Sequence, residues 1–161
     1  MSQLTKKHPL LTGANNPALR AKSSPVSKIT KDIKEFGKDL LALMYEYEGA
    51  GLAAPQVGEN SRVIAVSFRK ENKEKLKRVG DALMINPQII SRSDKMIVSE
   101  EACLSLPKLH GEVLRHETIK VTREDLNGKK HTEKLTGYNA VIVQHEIDHL
   151  DGVLFNDKLI K

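Results

Sequence analysis

The chain has 161 residues, 39% apolar and 29% charged, a balance that fits one globular domain and excludes a disordered chain, while no apolar run is long enough to cross a membrane. Its formal net charge is +5, with basic residues such as Lys6, Lys7, Lys73, Lys75 and Lys77 scattered as solvated faces. These permit transient proximity to nucleic acid or a ribosomal surface, but no reader motif or interleaved aromatic accompanies them, which argues against nucleic acid as a substrate. Cys103 is the only cysteine, so no intramolecular disulfide forms, and "MSQLTKKHPLLTGANNPALR" lacks the continuous apolar core of a secretory signal. A reducing, cytoplasmic setting is expected.

In chain order, residues 1–27 carry Pro9, Pro17 and Pro25 among small and polar residues and read as irregular, with 1–15 an arm on a single domain spanning 1–161. From Thr30, the apolar positions Ile33, Phe36, Leu40, Leu43, Met44 and Tyr47 recur at helical steps, with Thr30 as cap and Asp32 in the first turn. The glycines and Pro55 of "EGAGLAAPQVGEN" stop that helix. Strand-like runs follow at 62–68, 82–90, 95–106 and 111–125, and "RKENKEKLKRVGD" at 69–81 reads as a charged loop or short helix. Asn127-Gly128 predicts a hairpin turn, with "HTEKLTG" as the returning strand. The last helix runs from Tyr138 to Leu150, its apolar residues Val141, Ile142, Val143, Ile147 and Leu150 covering a wide arc, and Gly152 ends it. The fold expected is α+β: antiparallel β-sheets packed around a central helix, with a second, amphipathic helix near the N-terminus.

In "VQHEIDHLDG", His145 and His149 are four residues apart, stacked on one helix face, with Glu146 between them. Two imidazoles supply two ligands, and a catalytic site normally takes a third from the protein. A zinc peptidase of the thermolysin type would add a glutamate downstream and a metzincin a third histidine. Only nine residues follow Gly152, with Asp157 their sole carboxylate. The nearest soft donor in another element is Cys103, whose alternative is simple burial as a small hydrophobe. A thiolate with two neutral imidazoles would leave a divalent metal at a net charge of about +1, with Glu146 placed as a general base. His8, His110, His116 and His131 have no partner at metal spacing and read as exposed.

Three separated stretches carry a resemblance: "GAGLAAPQ" at 49–56, "EACLS" at 101–105 and "QHEIDH" at 144–149, with weaker echoes in "NPALRAKSSPV", "MINP" and "HLDGVLF". Together they make the chain similar to the peptide deformylases, which remove the formyl group from formyl-methionyl nascent peptides. The resemblance implies Cys103, His145 and His149 as metal ligands and Glu146 as proton carrier. It implies the Gln56 side-chain amide and the Leu104 backbone N–H as oxyanion donors, and Gly51 as a place of close substrate approach. Ala50, Tyr138, Val141 and Ile142 would line the methionine pocket, and Glu101 would anchor an arginine such as Arg115. Fe²⁺ is the implied physiological ion, with Ni²⁺, Co²⁺ or Zn²⁺ as substitutes, in a monomer. Ala102 stands where the family carries glycine, which leaves open a paralogue that binds nascent chains without turning them over. Leu114 and His110 also depart from the family pattern and are expected at the substrate rim. A general metallopeptidase remains the third reading.

Overall fold

The computed structural model describes residues 1–161. The N-terminal segment is not irregular throughout: it holds two short helices, α1 (Gln3–Lys7) and α2 (Pro17–Arg20), the second opened by Asn16, whose side chain accepts from the Ala18 N–H at 3.0 Å. Proline at the first helical position suits that turn, because its missing N–H would have no intrahelical partner there. The arm is also tied to the body, with the Leu11 N–H donating to Gln56 O at 2.8 Å and the Gly13 N–H to Ser105 O at 2.9 Å.

The amphipathic helix α3 covers Lys31–Glu46, capped as expected by Thr30, which accepts from the Ile33 N–H at 3.3 Å. It buries Leu40, Leu43 and Met44 against a five-stranded antiparallel sheet. That sheet contains β1 (Gly51–Ala53), β2 (Val63–Asn72), β3 (Lys75–Arg92), β6 (Thr118–Glu124) and β7 (Lys130–Thr136), in the order β1-β2-β3-β6-β7. A separate two-stranded sheet pairs β4 (Met96–Cys103) with β5 (Leu106–His116).

Two strand readings need correction. The charged stretch 69–81 is neither loop nor helix: β2 and β3 continue through it as a long hairpin, with Lys70 opposite Lys77 and Asn72 opposite Lys75. Its residues 70–79 are all exposed, so no apolar alternation marks it as strand. The run 111–125 is two strands in different sheets, broken at Glu117. The Gln144 side chain fixes that break, accepting from the His116 N–H at 3.1 Å and donating to His116 O at 2.9 Å. The Asn127-Gly128 turn stands as expected, with Gly128 at φ +78° and Asp125 Oδ1 accepting from the Asn127 N–H at 2.8 Å.

The central helix α4 spans Tyr138–Leu150, as its pattern predicts, and Gly152 ends it at φ +72°. It packs on the large sheet through Ala140, Val143, Ile147 and Leu150, in one cluster with Ile64, Val66, Ile119 and Val121. On its other side, Cys103, Leu106 and Val113 of the small sheet join Leu19, Leu154 and Phe155 in a further cluster. The helix is thus enclosed by both sheets, which brings β4 alongside its histidines.

Candidate metal centre

Cys103 is the last residue of β4, where a register shift in the pairing with β5 precedes the turn at Leu104 and Ser105. Its Sγ lies 3.3 Å from His149 Nε2, and one donor atom from each of Cys103, His145 and His149 lies within 4.8 Å of the others. Tetrahedral bonds of about 2.0–2.3 Å place neighbouring donors about 3.5 Å apart, so this set fits a small divalent cation.

The orientation of His145 is fixed from behind. Its Nδ1 faces Glu101 Oε2 at 2.8 Å, which leaves Nε2 directed toward Cys103. Glu101 is itself held by Arg115, Nε to Oε1 at 2.7 Å and Nη2 to Oε2 at 2.8 Å, and Arg115 Nη1 reaches Asp148 Oδ2 at 2.5 Å. The expected Glu101–Arg115 anchor is therefore present, and it joins the small sheet to α4. Burial alone would raise the Glu101 carboxyl, but the hydrogen bonds from Arg115 and His145 outweigh it and hold the group at about 2. Burial would lower His145, yet its bonds with Cys103 and Glu101 raise it to about 10. Burial, reinforced by the charges of His145 and Arg115, pushes His149 well below its ordinary value and favours the neutral imidazole a metal needs.

Glu146 is buried, with Oε2 lacking any hydrogen-bond partner. Burial raises its carboxyl to about 7, with the nearby charges of Glu101 and Asp148 adding to the rise. Opposite it lies Gly51, where a Cβ would come within 2.7 Å of the Glu146 carboxylate carbon. Gln56 sits in a 3-10 turn at Ala54–Val57, its Oε1 accepting from the Ala53 N–H at 2.9 Å. That bond aims Nε2 at Ser105 Oγ, 3.1 Å away, and at Cys103 Sγ, 3.6 Å away.

A cleft of about 490 Å³ opens over this group. Ala50, Gly51, Gln56, Ala102, Cys103, Leu104, Tyr138, Val141, Ile142, His145 and Glu146 line it, while His149 lies behind. Sequence reasoning missed Glu48, Gly49, Ser99, Glu100 and Pro107, which also line the cleft; Gly49 opens the glycine-bearing stretch and the others lie within two residues of it or of the cysteine-bearing one, and that proximity was the available signal. Leu114 is not at the rim: it pairs with Val98 in the small sheet and is turned to solvent outside the cleft lining. His110 pairs with Ala102, and its Nδ1 lies 3.4 Å from Glu100 Oε1, beside two residues of the lining. His8 is not exposed but buried, edge-on to the Phe36 ring at 5.6 Å. His116 and His131 are half-buried, and His131 Nε2 meets Asp125 Oδ2 at 2.7 Å; only His110 is as exposed as expected. Ala102 lies within β4 with a φ outside the left-handed region, which among non-glycine residues only Glu48, Lys73, Asn86 and Lys108 occupy. Alanine therefore carries no backbone penalty at that position.

Comparison with known proteins gives the same assignment by three routes. A family model described as polypeptide deformylase matches residues 9–161. A peptide deformylase of Afipia carboxidovorans is 43% identical over 143 residues, covering 89% of this chain and 81% of that protein. The Met-Ala-Ser-bound crystal structure of a class I type b peptide deformylase from Acinetobacter baumannii has a TM-score of 0.87 at 34% identity, covering 94% of this chain and 98% of that one. The peptide deformylase of Thermotoga maritima has a TM-score of 0.84 at 34% identity, covering 96% and 98%. With a Cys-His-His metal site at the head of its cleft, this chain belongs to the polypeptide deformylase family of metal-dependent hydrolases.

Proposed function

We propose that this chain removes the formyl group from the formyl-methionine of newly made peptides, releasing formate, and that its resident ion is Fe²⁺. The observation that carries this reading is the convergence of one thiol, two imidazoles and a buried carboxyl at the head of a single cleft. Iron in preference to zinc rests on the family resemblance, with Ni²⁺ and Co²⁺ as working substitutes. When bound, such a cation polarises water and the formyl carbonyl as a Lewis acid.

The remaining work falls to the chain's own side chains. Glu146 accepts a proton from the attacking water and later delivers it to the departing amine as the formyl C–N bond breaks, so formate and a free α-amine leave. A carboxyl raised to about 7 by burial is suited to both transfers. The tetrahedral carbon carries an oxyanion, toward which the Gln56 amide and the Leu104 backbone N–H donate; each such donor lowers a barrier by about 3–4 kcal/mol. An amide donates without competing for the metal as a carboxylate would.

β1 is an edge strand of the large sheet, so Gly51 has a free side on which a peptide backbone can pair as an added strand. The methionine side chain is received by Ala50, Tyr138, Val141 and Ile142, and Ala102 faces the peptide from the opposite strand. The protein acts as a monomer on one domain, 1–161, in the cytoplasm, in transient proximity to the ribosome.

The test is formate release from formyl-Met-Ala-Ser by protein handled without oxygen and loaded with Fe²⁺. Turnover that disappears in Glu146→Gln, with metal content unchanged, is the expected result. Loss of metal from Cys103→Ala is expected alongside it. Peptide binding without turnover by the fully loaded protein would overturn the reading in favour of a silenced paralogue.

A further inference from the structure

Beyond the cleft, the most unusual feature is the ribbon formed by the distal halves of β2 and β3. β1 pairs with β2 only as far as Val66, and β6 pairs with β3 only from Ile85 onward, so residues 69–78 form a two-stranded projection with no third strand. At a strand rise of about 3.3 Å per residue, the ribbon reaches about 17 Å beyond the sheet. Residues 69–78 hold Arg69, Lys70, Lys73, Lys75, Lys77 and Arg78 against Glu71 and Glu74, an excess close to the whole chain's net charge of +5.

The two faces of the ribbon differ. Arg69 and Arg78, opposite each other, are drawn back to the body: Arg69 stacks over the Tyr138 ring at 5.3 Å, and Arg78 stacks over Tyr45 at 4.5 Å and pairs with Asp81 at 2.6 Å. The other face carries Lys70 directly opposite Lys77, with Lys75 opposite Asn72 one step further out, and Lys73 at the tip. No carboxylate lies within ion-pair distance of any of these four lysines. Like charges opposed across a strand pair weaken it, and a free two-stranded hairpin is marginal in water. The arrangement costs stability and yields an array of uncompensated ammonium groups turned away from the body.

We propose that this lysine face docks the protein on the phosphate backbone of structured RNA. Lysine is a hydrated point charge suited to phosphate, and residues two apart along a strand stand about 7 Å from each other, within reach of successive phosphates. The face has no aromatic residue, so it does not stack on unpaired bases, and recognition is by charge and shape. The choice of RNA rests on the proposed substrate: a formylated N-terminus exists on chains that have just been made from an RNA template. The four lysines of this face take no part in deformylation.

The experiment measures binding of the full-length, metal-loaded protein to a fluorescent RNA hairpin across a salt series, beside vesicles containing phosphatidylserine. The variant replaces Lys70, Lys73, Lys75 and Lys77 with glutamine. A control replaces Lys22, Lys28, Lys38 and Lys120, exposed lysines elsewhere, in the same way. The expected result is RNA binding weakened at least about tenfold in the ribbon variant, with a salt slope shallower by roughly 0.7–0.9 for each phosphate no longer neutralised. The control should retain most of the affinity, and formyl-Met-Ala-Ser turnover should be unchanged in both. Equal weakening in the two variants, no saturable RNA binding by the parent, or binding to vesicles in preference to RNA would each overturn the proposal. Loss of turnover in the parent would instead count against the deformylase reading, since the RNA measurement does not depend on it.

Discussion

Gly51 and Ala102 flank the same cleft and make opposite demands. A methyl group on Gly51 would lie 2.7 Å from the Glu146 carboxylate carbon, so the carboxylate must swing aside. Gly51→Ala is expected to lower kcat by about 10²-fold, the scale on which a displacement of about 1 Å acts. Metal content should be unchanged, because the three atoms nearest such a methyl all belong to Glu146 and not to a ligand; formate assays with metal analysis on the same preparation check both halves. At Ala102, backbone and space are already compatible with a side chain, and restoring glycine is expected to change kcat/KM less than about twofold. Both comparisons turn on which neighbour a single methyl meets. The two histidines were legible in the sequence from their spacing of four, whereas Cys103 was marked as a ligand by the resemblance of "EACLS" to the deformylase pattern, since a lone cysteine reads equally as a small buried hydrophobe. The hold on Gln56 was not legible, because its orientation comes from the Ala53 N–H, and no side-chain pattern records a backbone donor.

At the scale of elements, the small sheet and α4 are joined by Arg115, which grips Glu101 from one side and Asp148 from the other. Both Arg115 and Glu101 side chains are nearly solvent-free, at 2% and 5% exposure, so truncating one leaves the other buried and unpaired. Arg115→Met is expected to destabilise the fold by about 3–5 kcal/mol, read from urea denaturation. The same pair sets an acid limit. Glu101 is held at about 2 when folded against an ordinary 4.5, so its contribution is fully present above 4.5 and is lost as pH falls toward 2. Circular dichroism should show acid unfolding across that window, and Arg115→Met should begin to unfold at higher pH. The sequence revealed the extent of α4 because its apolar arc and terminal glycine agree. It misassigned 69–81 because a ribbon wet on both faces has no buried side to alternate with. It merged 111–125 because alternation reports a strand's faces and not which sheet accepts it.

For the whole molecule, closure depends on the segment before α3. Leu11 and Gly13 bond the backbones of Gln56 and Ser105, and Arg20 grips Asp157 with two hydrogen bonds of 2.6 and 3.1 Å. Gly152 lies where these meet: its φ is +72°, and a Cβ there would meet the Arg20 carbonyl carbon at 2.8 Å. Gly152→Ala therefore combines a left-handed backbone with a collision, and is expected to cost at least about 2 kcal/mol, or roughly 4–8 °C in Tm, by differential scanning calorimetry. Prolines among small residues made this segment read as a loose arm, since its anchoring runs through main-chain atoms and the long-range ion pairs Lys7–Asp39 and Arg20–Asp157.

The tip of the lysine ribbon, Lys73 and Glu74, also divides the chain in an unusual place. Gly51 and Gln56 come before it; Cys103, His145, Glu146 and His149 come after. The paired residues of β2 and β3, from Val63 with Ile85 out to Asn72 with Lys75, would remain in place if the peptide bond at the tip were cut. The molecule can thus be separated into two polypeptides, neither carrying a whole catalytic apparatus, that reassemble along a strand seam. Limited trypsin digestion at Lys73 is expected to leave turnover intact under native conditions. Coexpression of residues 1–73 with 74–161 should then restore activity that each piece lacks, making this fold a candidate for complementation by halves.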